Sequence, residues 1–423
     1  MFLQKHYLTF LNCCDKLLIW WWIILINRDK YLLQLLDYKD TKTIKVITGM
    51  RRCGKSTLIK LFNQYLLNNG VGEEHIIYIN FESLRYDEYK DYIKLYKFIS
   101  QKITDDKKYY IALDEIQQVS SWEKTVNSLA VDFNVDIYIT GSNAYLLSSE
   151  LSTLLSGRYV EIKMLPLSFK EYLIFDVKNE KNLEEKFEEY LKYGALPVLF
   201  EHKKNDSIFN NLLIGIYNTV LVKDVIERNK MNDAVLMDNI VRFALDNIGN
   251  IISSKKISDY MTSDGKKTTH ITVLNYLKML ENAYVLYPVR RYDLKGKSYL
   301  KTLEKYYVVD IGIRNAVLGY RNVDKGHILE NIVYLELLRK GYEVCIGKYK
   351  DYEIDFVVTK PDCKKYYQVT QTIANEEILN RECRSLEAID DNYEKIILSM
   401  DKSYILDRNG IKFQNILDFL LED

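Results

Sequence analysis

The chain has 423 residues, of which 48% are hydrophobic, and it carries 59 basic and 59 acidic side chains. This length predicts about two to four domains, and the apolar content excludes a disordered chain. The zero net charge excludes a uniformly basic nucleic-acid-binding protein, so any affinity for nucleic acid would need a local patch. Six cysteines without C-x-x-C spacing favour free thiols in a reducing, cytoplasmic setting.

The first segment of the chain is strongly apolar. Residues 17–26 are ten consecutive apolar residues, three of them tryptophan. A helix of this length covers about 15 Å, half of a bilayer core, so no membrane span is predicted. We interpret residues 1–26 as an N-terminal apolar extension that is non-native or dispensable, with a peripheral membrane anchor as the alternative.

A phosphate-binding pattern, G-x-x-x-x-G-K-[ST], occupies residues 49–56. It follows the β-branched run 44–48, which predicts a buried strand, and it precedes residues 57–62, which predict a helix. In that context the glycines let backbone N–H groups turn toward phosphates, and the helix N-terminus adds positive potential. The alternative is a chance match. The predicted nucleotide-binding residues are Gly49, Met50, Arg51, Arg52, Cys53, Gly54, Lys55, Ser56 and Thr57.

Two of these side chains have defined roles in the pattern. Lys55 would reach the β- and γ-phosphates of ATP, which also makes it a catalytic candidate. The Ser56 hydroxyl would hold a magnesium ion.

Apolar runs that predict strands alternate with helical stretches after this loop. This alternation predicts an α/β domain with a mainly parallel sheet and helices on both faces. Ligands of such sheets bind beyond the carboxyl ends of the strands, and these runs end there in polar residues. The predicted strands are 76–81, 109–115, 135–140 and 159–164.

The acidic end of one predicted strand is typical of a Walker B segment. Asp114 would bind the magnesium shell, and Glu115 would polarise the water that attacks the γ-phosphate. No N-K-x-D run follows the strand near residue 139, which favours ATP over GTP. The alternative is an acidic strand end that caps the next helix.

Three further polar residues are catalytic candidates. Ser142 or Asn143, at the tip of the next strand, would sense the γ-phosphate or position the water, with helix N-capping as the alternative. Arg158 would stabilise the transferred phosphate, because arginine supplies planar donors with a permanent charge. The alternative for Arg158 is a surface ion pair.

Taken together, five runs resemble a widespread family of archaeal and bacterial AAA+-type ATPases, over about residues 28 to 420. The resemblance implies an ATPase module that uses ATP and Mg²⁺, followed by a C-terminal region of uncharacterised role, and it implies little about the substrate. The runs that carry the resemblance are 46–57, 113–117, 140–143, 156–158 and 165–169.

Residues 251–301 form a basic region, with ten Lys or Arg and four Asp or Glu. Two predicted helices, 254–261 and 269–281, and a hairpin over 284–301 predict a winged helix, with Leu274 among its core residues. Such a unit places a helix in the DNA major groove and wing lysines on phosphates. A winged helix that docks a protein is the alternative. The candidate DNA contacts are Lys278, Arg290, Arg291, Lys295 and Lys297.

The C-terminal part resembles a restriction-endonuclease-like core with the motif E…D…(D/E/Q)-x-K. Glu330, Asp355 and Gln368 match the motif, whereas Thr370 stands where lysine is expected. Without that lysine the attacking water and the growing negative charge lose a stabilising group, so we expect a domain that does not cut DNA. The alternative is that the pair 364–365 supplies the lysine.

These interpretations predict an ATP-hydrolysing protein that couples its nucleotide state to binding of DNA or a protein, with oligomerisation left open. The alternatives are a nucleotide-gated module with negligible turnover and an ATP-regulated, magnesium-dependent nuclease. The predicted regions are the extension 1–26, a P-loop ATPase domain 27–175, a helical region 176–249, a winged helix 250–322 and a nuclease-like domain 323–423.

Overall fold

The computed structural model of the protein describes residues 28–142, 155, 157–176, 180–229, 233–299, 303–321, 324–402 and 407–422. The extension 1–26 and the candidate Asn143 lie outside the described residues. Four units are distinguished by their residues: the N-terminal unit (28–176), the helical unit (180–249), the middle unit (250–308) and the C-terminal unit (324–422).

A five-stranded parallel sheet, in the order β2-β3-β4-β1-β5, forms the centre of the N-terminal unit. Neighbouring residues of β1, Val46 and Ile47, belong to two different apolar cores, one on each face of the sheet. Helices therefore cover both faces, and the predicted α/β sheet is confirmed. The strands are β1 (Ile44–Thr48), β2 (Ile76–Asn80), β3 (Tyr109–Asp114), β4 (Val135–Gly141) and β5 (Tyr159–Lys163).

Within the described part of the N-terminal unit, five α-helices and three short 3₁₀ helices pack around this sheet. One of them begins at an N-cap, because the Asp91 side chain accepts hydrogen bonds from the N–H groups of Ile93 and Lys94. The α-helices are α1 (Asp29–Asp37), α2 (Lys55–Asn68), α3 (Tyr92–Ser100), α4 (Trp122–Asp132) and α5 (Phe169–Phe175); the 3₁₀ helices are Glu73–His75, Leu84–Tyr89 and Ile116–Gln118.

The helical unit begins at a capping box, in which Asn182 and Glu185 satisfy each other's backbone N–H groups. Its second α-helix continues without a break into a π-helix, a rare conformation. The elements are α6 (Leu183–Tyr193), a 3₁₀ helix (Pro197–Glu201), α7 (Asp206–Thr219), the π-helix (Val220–Glu227) and α8 (Ala234–Asp246).

Two helices and a three-stranded antiparallel sheet, ordered β6-β10-β7, make up the middle unit. Helix α10 buries Val273, Leu277 and Leu280, whereas Leu274, expected in the core, is 53% exposed. That expectation was wrong, because Leu274 lies about 100° around the helix from Val273. The elements are β6 (Ile251–Ile252), α9 (Ser254–Ser263), α10 (His270–Asn282), β7 (Leu286–Val289), β8 (Arg291–Asp293), β9 (Ser298–Tyr299) and β10 (Glu304–Val308).

The hairpin predicted over 284–301 is divided between two sheets. Strand β7 pairs with β10 inside the middle unit, but the hairpin tip, β8 with β9, extends away from it. Strand β8 pairs in parallel with β11 of the C-terminal unit, so one sheet crosses the boundary predicted at residues 322 and 323.

The C-terminal unit is built on the resulting eight-stranded sheet, ordered β15-β16-β14-β13-β12-β11-β8-β9. A preceding helix, α11, contacts α6, α7 and α8, and one continuous apolar core spans the helical, middle and C-terminal units. The elements are α11 (Ile311–Leu318), α12 (Lys325–Arg339), β11 (Glu343–Tyr349), β12 (Tyr352–Lys360), β13 (Cys363–Val369), α13 (Glu376–Glu387), β14 (Glu394–Ser399), β15 (Asp407–Arg408), β16 (Ile411–Asn415) and α14 (Ile416–Leu421).

Candidate nucleotide-binding site

The loop after β1 has the backbone of a phosphate cradle. Gly49 has φ +143° and Gly54 has φ +106°, conformations that favour glycine. A Cβ at Gly49 would lie 2.2 Å from the Met164 carbonyl oxygen, so a larger residue does not fit there. Helix α2 begins at Lys55, and its first N–H groups are available to an anion because nothing precedes them within the helix.

Lys55 lies at the centre of this loop and is 4% exposed. Its Nζ donates hydrogen bonds to the carbonyl oxygens of Gly49 (3.0 Å) and Met50 (3.2 Å). The same atom is 3.8 Å from Glu115 Oε1, so the ammonium faces the loop and the acidic strand end together. A positive charge is thus held where the phosphates of a bound nucleotide would lie.

The Asp114 carboxylate at the end of β3 is fully buried and held from both sides. Its Oδ2 accepts hydrogen bonds from Tyr78 OH (2.9 Å) and Asn80 Nδ2 (3.0 Å). The Thr140 hydroxyl donates to its Oδ1. Burial, with the Asp114 charge next to it, raises the pKa of Tyr78, which keeps that phenol protonated as a donor.

Tyr78, Asn80 and Thr140 were missed by sequence reasoning. Each lies at or near the carboxyl end of a strand beside β3, so the parallel sheet brings them together. A signal for them existed, because polar residues that end neighbouring strands of such a sheet meet at one edge.

Glu115 has a left-handed backbone, with φ +56°, although it is not glycine. Its N–H donates to Thr140 Oγ1 (3.0 Å), and its Oε2 accepts hydrogen bonds from Ser142 Oγ (3.3 Å) and from the Gln117 amide. Residues in such strained conformations persist where surrounding contacts fix them, as at active sites. The structure therefore brings the candidates Lys55, Glu115 and Ser142 together.

Arg158 does not belong to this cluster. Its carbonyl oxygen accepts a hydrogen bond from the N–H of Ile44, at the start of β1, and Tyr159 pairs with Ile44. The phosphate loop follows the other end of β1, about 16 Å away for a five-residue strand. Parallel pairing thus places Arg158 at the opposite edge of the sheet, and its proposed contact with phosphate in the same chain is not supported.

The remaining loop residues divide between outside and inside. Ser56 is half-buried in the first turn of α2, while Arg52 and Thr57 are exposed. Cys53 is buried, and burial raises the pKa of its thiol. Met50 and Arg51 direct their side chains into the helical unit, so only their backbone groups are placed to face a phosphate.

Arg28, which sequence reasoning also missed, contacts the phosphate loop from behind. It is buried, and its guanidinium donates to the carbonyl oxygens of Cys53 (3.1 Å) and Leu165 (2.9 Å) and to Glu171 Oε1 (2.7 Å). These bonds join the loop to the segment before α5. No local sequence pattern predicts this supporting role of Arg28, because each of its hydrogen-bond partners is distant in sequence or is a backbone atom.

A magnesium nucleotide fits these residues. The glycine cradle, the Lys55 ammonium and the Ser56 hydroxyl match a phosphate chain and its cation, and Asp114 supplies a fixed carboxylate beside them. Across the described ranges, no group of three or more His, Cys, Asp or Glu could hold a metal by itself.

A second cluster of carboxylates lies in the C-terminal unit, and Lys305 of β10 reaches into it. Its Nζ is 2.8 Å from Glu330 Oε1, 2.9 Å from Glu353 Oε1 and 3.8 Å from Asp355 Oδ1. Burial by itself would lower the pKa of Lys305, but these carboxylates raise it above its usual value. The amine is therefore a permanent cation among them.

The protonation of the acids follows from the same contacts. Burial raises the pKa of Asp355 to about 8, and the charge of Glu330 adds to the effect. The pKa of Glu330 is lowered despite burial, because Lys305 and the hydroxyl of Tyr307, at 2.5 Å, stabilise its anion. Asp355 also accepts a hydrogen bond from the Val369 N–H (2.9 Å).

The other motif residues have separate roles. Gln368 Oε1 accepts a hydrogen bond from the backbone N–H of Asp355 (2.8 Å), and Gln368 Nε2 donates to Glu382 Oε2 (3.0 Å). The Thr370 hydroxyl instead donates to the carbonyl oxygen of Thr372. In the pair 364–365, the first lysine lies over a tyrosine ring and the second pairs with Glu394 at 2.6 Å. Lys305, which the sequence did not suggest, is the lysine that reaches the cluster.

The candidate DNA-contact residues are mostly at the surface. Lys295 and Lys297 are exposed at the tip between β8 and β9, where Asp293 Oδ1 accepts the Lys295 N–H (3.0 Å). Arg290 is exposed and Arg291 is half-buried. Lys278, on α10, pairs with Glu281 at 2.5 Å.

Two family models match the chain. The model described as "AAA domain" matches residues 41–173, and the model described as "Domain of unknown function (DUF8612)" matches residues 184–324. Among the described residues, no helix is both long and apolar enough to cross a membrane.

Full-length relatives and a solved structure agree with the fold. A protein of Haemophilus influenzae, described as uncharacterized, is 41% identical over 94% of this chain and 99% of its own. One of Methanocaldococcus jannaschii, with the same description, is 31% identical over 90% of this chain and 89% of its own. The structure of a Walker-type ATPase of Pyrococcus abyssi is 18% identical, covers 69% of this chain and 95% of that chain, and has a TM-score of 0.50.

The parallel sheet, the phosphate loop and the acidic strand end define an AAA+ P-loop ATPase fold, as predicted. The chain belongs to the family of the Haemophilus and Methanocaldococcus proteins, which it matches over nearly their whole lengths.

Proposed function

We propose that this protein binds ATP with Mg²⁺, hydrolyses it and uses the nucleotide state to change its grip on DNA or a protein partner. The observation that carries the proposal is the Lys55–Glu115 pair, which joins the phosphate loop to the acidic strand end. A cation for the phosphates and a carboxylate for the water are thus held in one place, as phosphoryl transfer to water requires.

Each residue has a role in this proposal. The backbone of the loop and Lys55 bind the phosphates, and Ser56 with Asp114 holds the magnesium, which neutralises the phosphate charge when bound. Glu115 accepts a proton from the attacking water, and Ser142, which donates to Glu115, orients that carboxylate. The hydrogen bonds to Asp114 keep its carboxylate in position.

Steady-state ATP hydrolysis, measured with and without DNA, tests the proposal. We expect magnesium-dependent turnover. We expect Lys55→Ala to lose nucleotide binding, because the substitution removes the positive charge that would contact the phosphates. Tight ATP binding without turnover would favour the nucleotide-gated module instead. If the protein shows neither ATP binding nor ATP turnover, the proposal is refuted.

The middle unit is proposed to be the partner-binding winged helix. Two helices packed on a three-stranded antiparallel sheet support this, as do the exposed Lys295 and Lys297 at the hairpin tip. Helix α10 also exposes Ile271 and Leu274, which suit contacts with thymine methyl groups or with a protein. The β8–β11 pairing fixes the hairpin on the C-terminal unit, so partner binding would involve both units.

We propose further that the C-terminal unit is a nuclease-like scaffold that does not cut DNA. Lys305 supports this, because its ammonium lies between Glu330 and Asp355, where a catalytic metal ion would have to bind. A carboxyl with a pKa near 8, as Asp355 has, is also a poor magnesium ligand at neutral pH.

Incubation of the purified protein with plasmid and linear DNA, with magnesium or manganese, with and without ATP, tests this proposal. We expect no cleavage. Cleavage that disappears in both Asp355→Ala and Lys305→Met would contradict it, and would show Lys305 acting as the motif lysine.

A further inference from the structure

The side chain of Met50 leaves the N-terminal unit although its backbone is part of the phosphate loop. It is 1% exposed and belongs to the apolar core of the helical and middle units, not to either core of the parallel sheet. The residues around it come from α7, the π-helix, α8, α10 and α11. They are Tyr217, Val220, Leu221, Val225, Val241, Leu280, Val285 and Ile313.

The next residue, Arg51, makes a second connection to the helical unit. Its Nε lies 3.1 Å from Asp224 Oδ2 and its Nη2 lies 3.2 Å from Asp224 Oδ1, a two-point ion pair. Asp224 is 2% exposed and lies on the π-helix. The remaining guanidinium nitrogen donates to Glu82 Oε1 (2.6 Å), so Arg51 joins the π-helix to the segment after β2.

We propose that Met50 and Arg51 form a coupling element that transmits the nucleotide state of the phosphate loop to the π-helix and the middle unit. The inference deepens the proposed function and rests on it, since it needs a nucleotide in the loop. Leu280 of α10 and Val285, which contact the Met50 pocket, extend the connection from the helical unit into the middle unit.

The physical reason is that one short segment serves two units. Its backbone N–H groups would contact the phosphates, while its side chains are fixed in another core by packing and by a buried ion pair. A shift of the loop on phosphate binding therefore moves or strains the Met50 pocket and the Asp224 contact. By linkage, the position of the helical unit must change nucleotide affinity by the same factor.

A two-point arginine contact suits this role better than apolar packing alone. The planar guanidinium fixes direction as well as distance, and lysine cannot reproduce both bonds. The π-helix adds to the argument, because such turns are rare and frequently occur at functional sites. The buried pair thus marks a direct contact between the proposed ATP site and the rest of the molecule.

Hydrogen exchange measured by mass spectrometry, with and without Mg²⁺ and a non-hydrolysable ATP analogue, tests the coupling. In the unaltered chain we expect the analogue to slow exchange both at residues 49–58 and at residues 220–227, by about fivefold or more at the second segment. In Asp224→Asn we expect slowing at 49–58 to persist and slowing at 220–227 to be lost. Arg51→Lys should reduce the ratio of the second effect to the first.

Glu82→Gln is the matched control, because it removes the exposed carboxylate partner of the same arginine. We expect it to leave the nucleotide response at 220–227 intact. An equal response at 220–227 in the unaltered chain, Asp224→Asn and Arg51→Lys would overturn the coupling element, as would no response there in the unaltered chain while 49–58 responds. No slowing at 49–58 in the unaltered chain would instead refute nucleotide binding, and the coupling with it.

Discussion

The phosphate loop and the C-terminal unit are each in contact with a buried lysine that lies next to carboxylates, and the two lysines differ in their surroundings. Lys55 donates to two backbone carbonyl groups and stands 3.8 Å from one acid, Glu115. Lys305 lies within 4 Å of three acids, and two of them are closer than 3 Å. Lys305 is thus surrounded by acids of the protein, whereas we propose that the charge of Lys55 is used to bind a ligand.

From this comparison we infer that residues matching a metal-binding motif are not sufficient to form a metal site. The C-terminal unit keeps a glutamate, an aspartate and a glutamine of a metal-binding motif, and it brings them close together. We propose that the Lys305 ammonium occupies the place of the metal ion that this motif would bind. In the N-terminal unit, we propose that the backbone of the glycine loop, with Lys55 beside it, binds the phosphates of an external ligand.

We expect the largest effect on stability from Lys305→Met. Removing the cation leaves the buried Glu330 carboxylate without its cationic partner at 2.8 Å, so we expect about 3–5 kcal/mol less free energy of unfolding. Urea denaturation of the full chain measures it. The matched control is Lys365→Met, which removes a half-buried lysine paired with Glu394 and should cost about 1 kcal/mol or less. Equal losses would contradict the internal-cation account.

Asp355→Asn tests how the buried carboxylate cluster makes the stability of the protein depend on pH. The folded-state pKa of Asp355 is raised to about 8 from 3.8, so the folded state binds this proton more tightly than the unfolded state does. Its contribution to stability is therefore largest at low pH and is lost as pH rises to about 8. Lys305, Glu330, Glu353 and Glu382 face the group.

We expect Asp355→Asn to reduce the loss of stability of the protein between about pH 5 and pH 9, measured by thermal unfolding. Asp401→Asn serves as a control on the same unit, since Asp401 accepts hydrogen bonds from Thr372 and Ile373 outside this cluster. An unchanged pH profile in Asp355→Asn would show that Asp355 is ionised in the folded protein at neutral pH.

Lys295 and Lys297 provide a third kind of lysine, exposed and not fixed in a cluster. Replacing both with Glu should weaken DNA binding steeply at low salt and leave ATP affinity and stability nearly unchanged, because these side chains lie at the surface. Titration of labelled duplex DNA at several salt concentrations measures the effect. No affinity in the unaltered protein at low salt would favour a protein partner.

The sequence predicted the local structure around the phosphate loop. The strand, glycine loop and helix around Lys55 are continuous in the chain, and the alternation of strands and helices determines which ends of the strands meet. The AAA+ ATPase fold followed from these patterns and was confirmed. Arg158 was proposed as a phosphate contact although it directly precedes the predicted strand 159–164, and parallel pairing of that strand with β1 places it at the edge opposite the phosphate loop.

Contacts between distant segments could not be predicted in the same way. Asp224 is 173 positions from Arg51, and Lys305 precedes Glu330 and Asp355 on a strand of another unit. Nothing in the local pattern of hydrophobicity distinguishes these residues from surface charges. Their roles depend on how the units pack against one another. The short-range periodicity of a single sequence does not show that packing.

The central claim is that Glu115 accepts the proton of a water that attacks bound ATP. The most direct measurement is single-turnover hydrolysis of ATP by Glu115→Gln, with nucleotide affinity measured on the same preparation. We predict that binding is retained within about threefold, while hydrolysis falls by about 100-fold or more, because an amide is a poor base. Hydrolysis at the unaltered rate, with binding intact, would contradict the claim.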